Sequence, residues 1–415
     1  MLKYITPRIR FQEFDFWWET IKLTDLGISV GGTAIESEFD PDGKYKVISI
    51  GSYSEESKYK DQGIRAIYSK KTEKRILEKD DLTMILNDKT STGKIIGRVL
   101  LIDEDNSYVY NQRTQRICLD KNKYVPDFIF QLLNADINRN KIVRSAQGNT
   151  QIYVNWSDIS NLDYLIPESI EEQSAIGSLF LTLDDLLASY KDNLANYQSL
   201  KATMLAKMFP KAGQTVPEIR LDGFEGEWEK SKLKDVAHRV QGNDGRMDLP
   251  TLTISASGGW MNQIDRFSAN IAGKEQKNYT LLKKGELSYN HGNSKLAKYG
   301  VVFELQDYEE ALVPKVYHSF RVNQLADAKF IEIMFSTKIP DRELGKLVSS
   351  GARMDGLLNI SFDDFMNIAI VIPTIEEQQA IGTYFSNLDN LINSHQEKIS
   401  QLETLKKKLL QDMFI

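Results

Sequence analysis

The chain has 415 residues, and its 52 Lys and Arg against 58 Asp and Glu give a formal net charge of −6. An apolar fraction of 41% and a charged fraction of 27% are ordinary for a folded protein and argue against global disorder. A single cysteine, Cys118, excludes an intrachain disulfide and favours a reducing, cytoplasmic location. The four histidines lack the spacing of a metal site, and no apolar run is long enough for a membrane span.

The sequence consists of two copies of one plan. Residues 171–209 and 376–414 align without a gap and are identical at 16 of 39 positions, and residues 6–26 align with 216–236 at 9 of 21. So long a period excludes a solenoid and indicates a duplicated unit with diverged middles. We therefore divide the chain into a first block at 1–165, a helical segment at 166–213, a second block at 214–371 and a second helical segment at 372–415.

The first block is predicted to mix α and β structure. Short apolar runs bounded by Gly, Asn and Asp predict strands at 45–50, 84–86, 95–102 and 115–119, and a further apolar run predicts a helix at 128–135. The strand order does not follow from these runs.

Two features of the first block suit an anionic ligand, and each has a plainer explanation. Residues 58–79 carry eight basic and three acidic residues, which is typical of a polyanion site but also of a solvated surface. The loop Gly31-Gly32-Thr33 either turns against a phosphate or is only a tight turn.

Each helical segment opens with a capping-box pattern, Ser169–Glu172 and Thr374–Glu377. In such a box the hydroxyl caps the N3 amide and the Glu side chain reaches back to the cap residue. Both copies then have a lysine, Lys201 or Lys406, where the apolar spacing breaks, and we interpret the break as a register device or a slight stutter. Heptad spacing predicts a buried seam of Ile176, Phe180, Leu183, Leu187, Tyr190, Leu194 and Tyr197, and of Ile381, Phe385, Leu388, Ile392, His395, Ile399 and Leu402.

The short connection after the first helix predicts how the two helices pair. A helix of 39 residues is about 58 Å long, whereas the six residues 210–215 reach only about 20 Å. The second block must therefore lie at the far end of the first helix, and the second helix must run back. This predicts an antiparallel coiled coil with both chain termini near the first block, although pairing between two chains remains open.

A second apolar row runs beside each seam. Its residues are Leu179, Leu186 and Leu200 in the first copy and Tyr384, Leu391 and Leu405 in the second. The resulting apolar face is wider than a two-helix seam needs. The row either packs on the blocks or receives the helices of a partner.

The second block is also predicted to be mixed α and β. Apolar runs predict strands at 252–254, 301–305 and 317–322 and a helix at 330–336.

Neither block contains a convincing catalytic motif. The P-loop, the nucleophile elbow, the dinucleotide-binding glycines and the Asn/Asp-Pro-Pro signature of amino-methyltransferases do not occur. A nuclease-like P-D…E-x-K pattern, Pro41-Asp42 with Glu56-Ser57-Lys58, is of a kind that recurs by chance in chains of this length.

The repeated motifs resemble those of a known family. Two 39-residue helices open with I-P-x-I-E-E-Q-x-A-I-G, end with L-x-x-M-F and alternate with two diverged blocks. This arrangement, which covers the whole chain, resembles the specificity subunit of type I restriction–modification systems. The opening motif lies at 166–177 and 372–382, and the first copy has one extra residue before its helix.

The resemblance implies an α+β fold: two pseudo-two-fold related α+β target recognition domains joined by an antiparallel coiled coil of two long helices. Each domain would bind one half of a split double-stranded DNA target. The helices would dock two methyltransferase subunits, which carry S-adenosylmethionine, and restriction–translocase subunits would add ATP and Mg²⁺. The chain itself would bind no cofactor or metal and catalyse no reaction.

Candidate DNA-binding residues are the basic, amide and glycine residues of predicted loops, because such groups grip phosphates and read guanine and adenine edges. In the first block they are Gly31, Gly32, Thr33, Lys58, Lys60, Arg65, Lys70, Lys71, Asn87, Lys89, Lys94, Asn149 and Gln151. In the second block they are Asn290, His291, Asn293, Lys295, Lys298 and Arg353. The candidate partner-binding residues are the six of the second apolar row.

Two other functions fit the residues without the family resemblance. One is a coiled-coil adaptor with two protein-binding blocks and no DNA contact, and the other is a self-sufficient nuclease. Steep salt dependence of DNA binding separates the first from a DNA-binding subunit.

Overall fold

The structure of the chain is a computed structural model that describes residues 7–267, 273–292, 295–348 and 357–414. The chain divides into two compact units: unit 1 is residues 1–192 with 397–415, and unit 2 is residues 193–396. The division falls within both long helices, after residue 192 of the first and after residue 396 of the second. Among the described residues, no helix is long and apolar enough to cross a membrane.

The first copy contains eleven strands and five α-helices within its described residues. The strands are β1 Trp18–Lys22, β2 Gly27–Gly31, β3 Tyr45–Ile48, β4 Arg65–Ala66, β5 Leu82–Ile85, β6 Asn87–Asp88, β7 Val99–Leu101, β8 Tyr108–Tyr110, β9 Thr114–Leu119, β10 Ile152–Tyr153 and β11 Asp163–Pro167. The helices are α1 Lys70–Glu73, α2 Pro126–Asn134, α3 Asp136–Arg144, α4 Trp156–Ile159 and α5 Ile170–Lys207.

The second copy contains ten strands and six α-helices in the part of it that the structure describes. The strands are β12 Glu229–Lys232, β13 Ala237–Arg239, β14 Leu252–Ser255, β15 Gly259–Asn262, β16 Thr280–Lys283, β17 Leu287–Asn290, β18 Val301–Glu304, β19 Glu310–Val313, β20 His318–Val322 and β21 Ala369–Ile372. The helices are α6 Leu233–Val236, α7 Gln263–Phe267, α8 Ala328–Ser336, α9 Asp341–Leu347, α10 Phe362–Met366 and α11 Ile375–Met413.

The two units share one sheet topology. Each has a four-stranded antiparallel sheet, ordered β2-β9-β5-β7 in unit 1 and β13-β20-β17-β18 in unit 2, and a two-stranded ribbon, β1-β11 or β12-β21. The remaining strands differ: unit 1 has a three-stranded sheet β4-β3-β8 and the ribbon β6-β10, whereas unit 2 has the ribbons β14-β15 and β16-β19. The common order confirms that the α+β fold is duplicated.

The predicted elements agree with these bounds except in one case. Each predicted strand run overlaps a strand, and both predicted block helices are present as α2 and α8. The run 95–102 is a strand only at Val99–Leu101, because its first half belongs to a loop in which Gly97 takes a φ of +73°.

The Met-Phe end of each long helix is buried in a core. In unit 1, Phe414 lies with its ring centroid 5.8 Å from those of both Phe128 and Phe180. In unit 2, Phe209 stacks on Phe330 at 5.5 Å. The last turn of each helix is therefore fixed by burial of a large aromatic side chain, worth about 1.5–3 kcal/mol.

The helices are antiparallel in both units. In unit 1, Lys406 pairs with Asp184 and Lys191 with Glu403, so residue numbers fall along one helix as they rise along the other. All fourteen predicted seam residues are buried or half-buried. The backbone N–H of Arg8 donates to Asp412 O at 2.8 Å, which places the described ends of the chain in the same unit, as predicted.

The lysines that interrupt the seam form reciprocal ion pairs between the helices. Lys406 Nζ lies 2.5 Å from Asp184 Oδ1 in unit 1, and Lys201 pairs with Asp389 in unit 2. The two lysines occupy the same place in the sequence repeat, and so do the two aspartates. This fits the register interpretation, because a lysine in an apolar seam needs an acid opposite it.

Only half of each predicted capping box forms. Ser169 Oγ accepts from the N–H of Glu172 at 3.2 Å, and Thr374 Oγ1 accepts from that of Glu377 at 3.4 Å. The predicted return of the Glu side chains to the caps is wrong, because both carboxylates bind an arginine instead: Glu172 pairs with Arg10, and Glu377 pairs in the same way with the arginine at 220. A charge-assisted bidentate pair is stronger than a bond to one cap amide.

The glutamine of the repeated motif ties each helix to its block. Gln173 Nε2 donates to Lys123 O and Pro167 O at 3.1 Å, and its Oε1 accepts from Val125 N at 3.0 Å. Gln378 makes the equivalent three bonds in unit 2. A Cβ on Gly177 would lie 3.0 Å from a backbone nitrogen of α2, so the motif glycine allows close packing.

Candidate nucleic-acid interface

Equivalent hairpin loops of the two four-stranded sheets contain many of the predicted DNA-binding residues. In unit 1 the loop at 86–98 joins β5 to β7, and in unit 2 the loop at 291–300 joins β17 to β18. The first contains Asn87, Lys89 and Lys94, and the second contains His291, Lys295 and Lys298, with Asn290 at the end of β17.

A second loop lies beside the unit 1 hairpin loop. Strand β6 pairs with β10, with Asp88 opposite Ile152, and this brings the exposed Asn149 and Gln151 next to the hairpin loop. Gly148 has a φ of +101°, and a Cβ there would lie 2.2 Å from Gln151 O. The tight turn therefore needs glycine. The structure thus brings together two segments that the sequence singled out separately.

The buried carboxylate of Asp88 organises the unit 1 hairpin loop. It accepts from Thr90 N and Thr90 Oγ1 at 2.9 Å and from Ile95 N at 3.0 Å. Burial acts to raise the pKa of Asp88, but these backbone N–H groups hold the pKa below its usual value. Lys89, beside it, is exposed.

The segment before β4 lies against the same loop. Lys94 Nζ is 2.9 Å from Glu55 Oε1, and the backbone N–H of Lys58 donates to Ser54 Oγ at 3.0 Å. The side chains of Lys58 and Lys60 are exposed. Lys58 and Lys94 therefore lie on one surface.

The other unit 1 candidates lie around α1 and β4. Lys70 is exposed, Lys71 Nζ donates to Ser37 Oγ at 2.9 Å, and Thr33 Oγ1 accepts from Arg75 Nε at 3.3 Å. Arg65 is bidentate to Asp61 at 2.8 and 2.9 Å, and this pairing lowers the pKa of Asp61 to about 2. The guanidinium of Arg65 is therefore already bound to a carboxylate of the same unit.

The glycine loop has a packing role. Gly31 ends β2 and is exposed, but a Cβ on Gly32 would lie only 2.0 Å from Asn111 O. Close approach of two backbones explains Gly32 without a phosphate.

In unit 2, two of the candidates are committed to internal contacts. His291 is buried, with its ring nitrogens 2.8 Å from Leu358 O and Val316 O, so it does not present an edge to a base. Asn290 Nδ2 donates to Ile254 O at 3.2 Å. Lys295 and Lys298 are exposed, whereas Asn293 and Arg353 lie outside the described residues.

Two arginines of this region were not predicted from the sequence. Arg98 and Arg139 lie beneath the unit 1 hairpin loop and donate to its backbone carbonyls. Arg98 is the only charged residue of an apolar stretch and Arg139 lies in a polar one, so no common pattern marks the two, and the fold alone brings them together.

The second apolar row divides into packed and exposed residues. Leu179 and Tyr384 pack against the unit cores, whereas Leu186, Leu200, Leu391 and Leu405 remain 40–45% exposed. Unit 1 carries Leu186 and Leu405, and unit 2 carries Leu391 and Leu200, which hold the equivalent places in the repeat.

Comparison with known proteins gives a consistent result. A family model described as the type I restriction modification DNA specificity domain matches residues 17–196 and again 225–404. The chain is 20% identical over 410 residues to the specificity subunit of the type I restriction enzyme MjaVIII of Methanocaldococcus jannaschii, covering 95% of this chain and 91% of that protein. The crystal structure of the type I restriction-modification S subunit from M. genitalium matches with a TM-score of 0.61 at 16% identity over 99% of both chains, which shows a shared fold.

Proposed function

Because the chain belongs to the family of type I restriction–modification DNA specificity domains, we propose that it selects the DNA sequence on which a type I complex acts. Each of its two target recognition domains binds one half of a bipartite target. The observation that carries this proposal is the shared sheet order of the two units, whose equivalent hairpin loops hold different polar and basic side chains.

The division of labour within each domain follows from side-chain chemistry. Exposed lysines such as Lys58, Lys89 and Lys298 bind phosphates and set the register of the domain on the DNA. Amide side chains such as Asn149 and Gln151 suit the N6 and N7 edge of adenine. Bases between the two half-sites are not read, and the helix pair sets their number.

The chain's own task in this proposal is recognition. The reactions belong to partner subunits: two methyltransferase subunits with S-adenosylmethionine, and restriction–translocase subunits with ATP and Mg²⁺. The sequence supports this division, because it contains neither a P-loop nor the Asn/Asp-Pro-Pro signature of amino-methyltransferases. The complex would act on DNA in the cytoplasm, where a lone thiol stays reduced.

The exposed leucines support docking of two partners. Leu186 lies two residues from Asp184 and Leu405 next to Lys406, so both lie close to the unit 1 ion pair. Leu391 and Leu200 have the same relation to the ion pair of unit 2. Two equivalent apolar faces are what two copies of one methyltransferase subunit need.

A salt titration of DNA binding tests this function. We expect the chain assembled with its methyltransferase subunits to bind its target DNA with an affinity that falls steeply as salt rises, with a log–log slope of about −0.9 for each phosphate bound. Assembly without DNA binding, or with a flat salt response, would favour the adaptor. Cleavage of DNA by the chain alone with Mg²⁺ would favour the nuclease.

A further inference from the structure

Two half-buried arginines lie side by side beneath the unit 1 hairpin loop. Arg98 donates to Lys94 O at 3.4 Å, Asn134 O at 3.3 Å and Ser57 Oγ at 3.5 Å. Arg139 Nη1 donates to Gly93 O at 2.8 Å and Ile96 O at 3.2 Å. All of these acceptors are neutral.

Neither arginine has a carboxylate partner within 4.0 Å among the residues that the structure describes. By contrast, Arg10, Arg65 and Arg116 of the same unit each form an ion pair. Burial, together with the like charge of Arg139, lowers the pKa of Arg98 to about 10. Two partly buried charges without a counter-ion destabilise the fold, so an anion that they bind would account for their presence.

Both guanidinium groups have donors left for such an anion. A guanidinium has five N–H donors. Arg139 Nε is buried without a partner, and Nη2 of either arginine donates no hydrogen bond to the part of the chain that the structure describes.

The loop above the arginines has the composition of a phosphate site. Ser91 is exposed and supplies a hydroxyl group, whereas the Thr90 hydroxyl donates to Asp88 and lies 2.6 Å from the Thr92 hydroxyl. Lys89 and Lys94 supply exposed positive charges. Lys94 meets Glu55 in an ion pair in which both side chains are more than half exposed, at 59% and 53%, so a phosphate can replace this carboxylate.

The acidic groups nearby do not cancel this charge. Asp88 is saturated by hydrogen bonds within the loop, while Glu56 and Asp136 are exposed. The basic residues around the loop outnumber these three acids and Glu55. They are Lys58, Lys89, Lys94, Arg98 and Arg139.

We propose that loop 89–94 and the Arg98–Arg139 pair beneath it form a site for a phosphate of the DNA backbone, which fixes the register of the first target recognition domain. This inference rests on the proposed function. Unit 2 has no equivalent of Arg98. Val302 pairs with Tyr289 as Val99 pairs with Met84, so Val301 holds the place that corresponds to Arg98.

The test is the salt dependence of DNA binding by the assembled complex carrying Arg98→Gln and Arg139→Gln. We expect the slope to become shallower by about 0.9 for each phosphate that the variant no longer binds. Binding should weaken equally for target DNA and for DNA altered in either half-site, because a phosphate carries no sequence information. Arg8→Gln, which removes an exposed charge near the end of α11, is the control and should leave the slope unchanged.

A second variant guards against a folding defect, because the arginines also support the loop. Ser91→Asp places a negative charge on the exposed loop and should weaken binding by at least about tenfold, whereas Ser157→Asp, at an exposed position of α4, should not. An unchanged slope in the folded double variant, or a loss of discrimination confined to one half-site, would overturn the phosphate site. A wild-type complex that binds no DNA would instead overturn the proposed function.

Discussion

The guanidinium of Arg10 donates from Nε and Nη2 to the two carboxylate oxygens of Glu172, at 2.6 Å each. Glu172 is fully buried, and Trp18 Nε1 adds a third hydrogen bond at 3.2 Å. The pair joins the N-terminal segment of the first block to the first turn of α5. Arg220 and Glu377 repeat it in unit 2 at 2.8 and 2.6 Å.

We expect Glu172→Gln to destabilise unit 1 by about 3 kcal/mol, because it leaves the Arg10 charge buried without a partner. Thermal unfolding measures the change. The control is Glu171→Gln, an exposed neighbour whose substitution should stay within about 0.5 kcal/mol. Equal effects of both variants would show that the ion pair does not hold the helix to the block.

The interhelical pair Lys201–Asp389 should tolerate exchange of its charges but not reversal of one. Lys201→Asp places two acids opposite each other, and adding Asp389→Lys should recover the loss. Because both side chains are about one-third exposed, at 32% and 37%, we expect a coupling of roughly 0.5–1 kcal/mol. A double-mutant cycle on unfolding free energies measures it, and additivity of the two substitutions would remove the pair as a register device.

The leucine pairs should each control one docked subunit. Leu186→Asp with Leu405→Asp should reduce the number of bound methyltransferase subunits from two to one, as measured by native mass spectrometry. Leu200→Asp with Leu391→Asp should do the same. Leu181→Asp is a matched control, because Leu181 is 47% exposed on another face of α5. Retention of both subunits by either double variant would rule out its leucine pair as a docking face.

Unit 2 should lose stability in acid through His318. Burial lowers the pKa of His318 to about 4, although its Nε2 hydrogen bond to Ile360 O at 2.9 Å acts in the opposite direction. The unfolded chain, with a histidine pKa of about 6.5, therefore binds more protons than the folded chain between these values. Stability should fall as pH drops from about 6.5 towards about 4.

His318→Gln keeps a donor for Ile360 O and removes the titration. Unfolding midpoints of the two proteins, measured across this pH range, should therefore converge as the pH falls. The stacked His291 and the nearby Arg239 add to the lowering of the pKa of His318, and both are kept in the variant. Parallel pH profiles would exclude His318 as the source of the acid sensitivity.

The helices were predictable because their signals are local and periodic. The heptad positions, the repeated motif and the short connection specify an antiparallel pair without knowledge of either block. The predicted contact of the Glu172 side chain with its helix cap was wrong, because its partner is Arg10, 162 residues away. The signal was nevertheless present: Arg10, Trp18 and Glu172 all have an identical residue in the second copy.

The candidate interface was predictable in part. Basic and amide residues marked the hairpin loop and the loop at 148–151, but only the pairing of β6 with β10 shows that they are neighbours. The burial of His291 and the pairing of the Arg65 guanidinium with Asp61 depend on tertiary packing, which residue type does not reveal. Arg98 and Arg139 lie 41 residues apart in the sequence and have no motif to connect them.

Under the proposed function, the two domains bind separate half-sites at a spacing set by the helix pair. The most direct measurement is the methylated-adenine motif in the DNA of cells that carry the complex. It is compared with the motif from a chain with one heptad inserted after Asp192 and another after Gln396. Seven residues lengthen a helix by about 10.5 Å, which equals about three base pairs.

We predict two half-sites separated by unspecified bases for the wild-type chain, and the same half-sites about three base pairs further apart for the extended chain. A single continuous motif, or half-sites whose separation does not change in a complex that still methylates DNA, would contradict this account.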